Sequence, residues 1–160
     1  MNFTHQHFEE EFLGGPVIRI NMQVGSGAEY DQSAFEAIVS AALRESPILV
    51  SCRVAANDDN CIRQLQTLGF RHVETLVTLE RRLSASCGMA QGVEHAVAGD
   101  AEACMEIART AFSYDRFHMD PLISDLVANR LKCAWARDSL RGRADTCFVI
   151  RRDGEAAGFN

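Results

Sequence analysis

The stretch Phe112-Ser-Tyr-Asp-Arg-Phe-His-Met-Asp-Pro121 crowds aromatic and charged side chains together without helical or strand periodicity. Four of its residues, Tyr114, Arg116, His118 and Asp120, form the candidate substrate-binding set. A guanidinium such as Arg116 can grip a phosphate with two parallel hydrogen bonds. An imidazole such as His118 can hydrogen-bond a sugar hydroxyl or pass a proton, since histidine chemistry lies in the physiological range. Asp115 and Asp120 could hold an amine or hydroxyls. The same residues have structural uses. Asp120, just before Pro121, also suits the cap of a following helix, and Phe112 and Phe117 suit a core.

Other chemistries find less support. The six cysteines, at 52, 61, 87, 104, 133 and 147, are scattered, with no CxxC pair. A structural zinc site needs ligands at tight spacing, so no metal is expected. Their apolar neighbours suggest reduced core thiols. His5 and His7 could chelate weakly, but no third ligand accompanies them near what reads as a loose terminus. His72 and His95 each stand on a strand pattern without a partner in sequence. No Gly-x-Ser-x-Gly elbow and no Cys/His nucleophile arrangement is present. The formal charge of the 160 residues is -6, which opposes binding to phosphate backbones and makes nucleic acid an unexpected partner. The first residues lack a basic region followed by an apolar run, and no stretch reaches the roughly 18 apolar residues of a membrane helix. A cytoplasmic protein with no membrane partner is the expectation.

The elements that must position these side chains can be read from periodicity. Val17–Met22 reads as a strand. Ser33-Ala-Phe-Glu36 has the form of a capping box, opening a helix with Phe35, Ile38, Val39, Ala42 and Leu43 on one face, closed before Pro47. Ile48–Val54 reads as a strand covered on both faces. Asn57 or Asp58 caps a helix with Ile62, Leu65 and Leu68 inward and Gly69 at its end. Phe70–Arg81 alternates as a long strand, which makes a βαβ-like unit. A small polar linker follows at 84–91. Beyond it come a strand at 93–97, a helix with Ala103, Ile107, Ala108 and Ala111 inward, and the candidate loop. A helix from about Ile123 to Leu140 follows, with Leu126, Val127, Leu131, Ala134 and Trp135 inward. A hairpin turning at Asp153-Gly154 closes the chain. Arg151 and Arg152 border that turn and read as solvated, while Arg141 and Arg143 flank Gly142 at a helix end. The fold class is therefore α/β with a mixed α+β sheet, in three parts: an accessory lobe at 1–83, the linker at 84–91, and a second domain at 92–160.

The second domain's order is strand, helix, loop, helix, strand, turn, strand. Together with Tyr114-Asp-Arg-Phe-His-Met-Asp-Pro121, Ala134-Trp-Ala-Arg137, Gly142-Arg-Ala-Asp145 and Gly158-Phe159, it resembles the GNAT acetyltransferases, in particular the dTDP-fucosamine acetyltransferase group. The resemblance implies a family whose donor is acetyl-CoA and whose acceptor is an amino sugar on a nucleotide or another small amine. It also implies that the loop between the first two helices lies beside the acceptor. In the first lobe, Asp58, Cys61, Ile62, Leu65, Leu68, Gly69 and Phe70 resemble the family's Asn-x-x-Ala-Ile-x-x-Tyr-x-x-x-Gly-Phe pattern. There Leu65 replaces the tyrosine that often serves as acid, and leucine has no proton to give.

The family holds its donor on a Gln/Arg-x-x-Gly-x-Gly/Ala loop at a helix start, where bare N–H groups receive pyrophosphate. In the usual order that loop follows the fourth strand, and the sequence ends at Asn160 before it. Met22-Gln-Val-Gly25-Ser-Gly27 has similar glycine spacing but lacks the Gln/Arg. The expectation is the N-terminal part of an acetyltransferase, with acetyl-CoA as donor and its main binding motif absent, inactive alone and with no assignable catalytic residue. The alternative is a non-catalytic α/β binding or dimerisation module, pairing through an open edge at the last strand. A third reading is an unrelated enzyme using His118 and Asp120.

Overall fold

The computed structural model describes residues 2–22, 32–80, 82 and 90–160. The protein is mixed α and β, with five α-helices and two small sheets among these residues. It divides into two units, Met1–His72 and Val73–Asn160. The expected linker at 84–91 lies mostly outside the described residues.

In the first unit, β1 (Asn2–His5), β2 (Val17–Asn21) and β3 (Leu49–Cys52) form a sheet in that order. β1 runs antiparallel to β2, and β2 runs parallel to β3. The parallel pair is joined by α2 (Gln32–Arg44), so the βαβ unit is β2-α2-β3. The pleat sends Ile18 and Ile20 to opposite faces from Arg19. Ile20, Phe35, Val39, Cys61 and Leu65 form the core between that sheet face, α2 and α3 (Asp59–Thr67). Leu65 thus packs the core in the place where the resembled pattern carries a tyrosine. Asp58 caps α3 by accepting the Cys61 N–H at 3.0 Å. Burial pushes the Cys52 thiol up to about 12.

Several expectations about this unit are corrected. The N-terminus is ordered, as β1 and then α1 (His7–Leu13). His5 and His7 stack with ring centroids 5.7 Å apart. Each directs Nδ1 at one oxygen of Glu10, at 2.9 and 2.8 Å. These contacts, with the Val17 N–H, pull the Glu10 carboxyl down from 4.5 to about 2. Glu10 thus serves the two imidazoles as a hydrogen-bond acceptor. α2 is described from Gln32, whose amide donates to the Glu36 carboxylate at 2.8 Å. β3 is an edge strand half-buried throughout, because its run pairs with β2 alone among the described residues. Residues 71–80 form no strand: Leu76, Val77 and Leu79 are exposed, and among the described residues no ladder partner lies alongside them. Alternation marks a chain able to be a strand, but a ladder needs a neighbour.

The second unit contains β4 (Val93–His95), α4 (Ala101–Ala111), α5 (Asp125–Asp138), β5 (Phe148–Arg152) and β6 (Glu155–Phe159). The sheet order β4-β5-β6 is antiparallel throughout. The β5–β6 turn places Asp153 at φ 53° and Gly154 at φ 87°, as a two-residue hairpin requires. Arg151 is not solvated. Its guanidinium forks onto both oxygens of Asp100 (2.9 and 3.0 Å) and reaches Glu94 at 2.9 Å. α5 begins two residues later than expected and is capped by Ser124, whose hydroxyl accepts the Val127 N–H. Leu126 therefore faces solvent, 70% exposed, while Lys132 is turned inward.

Candidate functional site

α4 and α5 pack against each other and are joined by the candidate loop. α4 turns Cys104 and Ala108 inward, and α5 turns Ala128, Leu131 and Ala134 inward. The Cys133 thiol donates to the Met105 carbonyl at 3.3 Å, tying the two helices together. These anchors fix both ends of the loop.

The middle of the loop is held by its polar residues. Asp115 is the hub. Its carboxylate accepts the Phe117 N–H at 3.0 Å, lies 2.6 Å from His118 Nδ1, and sits 3.4 Å from Lys132 Nζ. A carboxylate only accepts, so Nδ1 carries the hydrogen. The other imidazole nitrogen, Nε2, lies 2.9 Å from Asn129 Oδ1 on α5. Burial works against ionisation of Asp115. The Phe117 N–H, His118 and Lys132 outweigh it, and the carboxyl is held below its ordinary value. Lys132 Nζ stands 4.8 Å from the centres of the Phe112 and Trp135 rings and 5.6 Å from Phe117. Phe117 is 1% exposed and meets Trp135 edge-on at 5.7 Å. Glu74, in the segment 71–80, closes the loop by accepting the Arg116 N–H at 2.7 Å.

The structure divides the four sequence-predicted residues. His118 has a side chain 7% exposed and both ring nitrogens engaged. Asp120 is buried and accepts the Leu122 N–H at 3.0 Å, capping a local turn and not α5. Tyr114 is 87% exposed. Arg116 is half-buried, with its guanidinium 4.6 Å over the Phe117 ring. The loop is thus inverted relative to ordinary surface polarity: its carboxylates and imidazole point in, while Tyr114, Met119 and Leu122 point out. Sequence reasoning missed Asn129, Lys132 and Glu74. Helical spacing places Asn129 and Lys132 on one face of α5, which was the available signal; no local signal places Glu74 beside residue 116.

The described helix starts of α4 and α5 carry carboxylates. The turn before α4 carries the Asp100 carboxylate, which accepts the Val97 N–H at 2.9 Å, and α5 opens with Ser124 and Asp125. Carboxylates there occupy or repel the place an anion would take. A cavity of about 640 Å³ between α4, α5 and β6 presents Glu102, Glu106 and Glu155, with Arg109 already paired to Glu106, so it too disfavours phosphate. Met22-Gln-Val-Gly25-Ser-Gly27 lies, apart from Met22, outside the described residues. Among the described residues no group of three metal-ligating side chains is assembled, and no helix is long and apolar enough to cross a membrane.

No family model matches the chain. The spore coat polysaccharide biosynthesis protein SpsD of Bacillus subtilis (strain 168) is 39% identical over 61 residues, which are 38% of this chain and 21% of that protein. The matched segment therefore spans about a fifth of the relative's length.

Proposed function

We propose that this chain forms the acceptor-binding part of a GNAT-type N-acetyltransferase acting on an amino sugar of polysaccharide assembly, carried on a nucleotide. The observation that carries the reading is the α4–α5 loop. It is braced from behind by a buried polar network, turns Tyr114 toward solvent and leaves Arg116 half-buried at its surface. The relative's role in polysaccharide biosynthesis and the order of elements in the second unit support the same reading. In it, Tyr114 offers an exposed ring for a flat or apolar face of the acceptor. Arg116, restrained by Phe117 and Glu74, offers a phosphate contact. His118 and Asp120 hold the loop's shape. The acceptor's amine nitrogen attacks the acetyl thioester of acetyl-CoA. A C–N bond forms, the C–S bond breaks, and the coenzyme leaves as its thiol, taking up the proton that the nitrogen gives away. Bringing amine and thioester together is the main catalytic contribution of such a site.

The test of the site is Arg116→Ala, with kinetics compared on a nucleotide-linked amino sugar and on the free amino sugar. KM for the phosphate-bearing acceptor should rise about tenfold, the scale of one lost charge-assisted contact of roughly 1.5 kcal/mol, while the free sugar is little affected. Equal kcat/KM values for wild type and variant on the nucleotide-linked acceptor would remove Arg116 from the site.

A further inference from the structure

We infer that Asn129 and Lys132 of α5 are positioning residues that set the loop's outward face through His118 and Asp115. The consequence for substrate rests on the acceptor reading above; the anchoring itself rests on geometry alone. Asp115, His118 and Lys132 have side chains only 15%, 7% and 10% exposed. Taking such groups from water is costly, and apolar side chains of similar volume would often serve stability as well or better. Their contribution is therefore selection of one conformation. The contacts define it: Asn129 closes one nitrogen of His118, Asp115 closes the other, and Lys132 meets Asp115 from inside the ring set Phe112, Phe117 and Trp135. The network also carries the Phe117 N–H, and Met119 N–H donates to the Asp115 carbonyl at 2.9 Å. A loop with its polar groups tied inward has Tyr114, Met119 and Leu122 left to face out. Without the tie, those polar groups regain water and the apolar ones bury, which turns the loop over.

Hydrogen exchange followed by NMR reads this directly. In Asn129→Ala, the amides of Phe117 and Met119 should exchange about tenfold faster, as local opening becomes easier, while those of β4–β6 keep their protection. Asn129→Asp, which keeps an acceptor oxygen facing Nε2, should restore protection. Lys132→Met keeps the apolar stem and should loosen the same amides, which gives a second route if Asn129→Ala folds poorly. Wild-type protection of these amides in both Asn129→Ala and Lys132→Met would overturn the inference. In the active enzyme, Asn129→Ala should raise acceptor KM about tenfold with a smaller change in kcat, and Asn129→Asp should recover it. Loosened amides with unchanged acceptor KM would uphold the anchoring and refute the placement of the acceptor on this loop.

Discussion

Phe117→Ala should cost the second unit about 3–5 kcal/mol, the range for emptying a buried aromatic site. Phe117 is 1% exposed and sits where four partners converge: the edge of Trp135, the Arg116 guanidinium, Lys132 Nζ, and Asp115 through its own N–H. Alanine keeps the N–H but leaves a void beside a buried ammonium. Neighbours cannot fill it cheaply, because Lys132 would have to leave its carboxylate. A small domain has only about 5–15 kcal/mol in total, so the variant should melt early or fail to fold. Urea unfolding followed by Trp135 fluorescence measures the loss. Phe117→Leu, a milder change, should cost no more than about 1.5 kcal/mol and keep the fold. A loss below about 1 kcal/mol for Phe117→Ala would show that the loop lies outside the cooperative core.

Arg151→Ala should lower the melting temperature of the same unit by several degrees, with the deficit depending on pH. The fork from Arg151 to Asp100 and its bond to Glu94 join β5, β4 and the turn before α4. Arg151, together with the Val97 N–H, holds the Asp100 carboxyl below its ordinary value. A group whose pKa is lowered on folding stabilises above its unfolded pKa, near 3.8, and loses that contribution as pH falls through the folded value. The difference between wild type and variant should therefore be full at pH 7 and shrink below about pH 4. Removing the guanidinium strands a carboxylate that is 5% exposed, which is the costly way to break such a pair. Melting curves at pH 7 and pH 3.5 separate the outcomes, and an equal deficit at both would assign the effect to packing of the arginine stem.

The parts of this fold legible in the sequence are those governed by neighbours along the chain. The Asp153-Gly154 turn, the Asp58 cap and the helix after Gly99 follow from local rules and stand where those rules put them. The parts that were not legible depend on partners far along the chain. Residues 71–80 have the pattern of a strand but no ladder among the described residues. Arg151 reads as solvated until β4 and the α4 turn bring Glu94 and Asp100 to it across more than fifty positions. The loop was found by composition, since charged and aromatic residues without period stand out. Its orientation was not, because side-chain direction depends on Asn129 and Lys132 eleven and seventeen positions from their partners. Composition suggested that His118 and Asp120 reach for a ligand. The structure turns both inward and leaves Tyr114 on the outside.

The central claim is acetyl transfer to a nucleotide-linked amino sugar, and mass spectrometry of the acceptor tests it most directly. The protein as its gene encodes it is incubated with acetyl-CoA and a panel of nucleotide-linked amino sugars. The account predicts that one of them gains a single acetyl group on its amine, with free coenzyme thiol released in equal amount. A folded protein that acetylates no amino sugar in the panel, with or without the nucleotide, would contradict it.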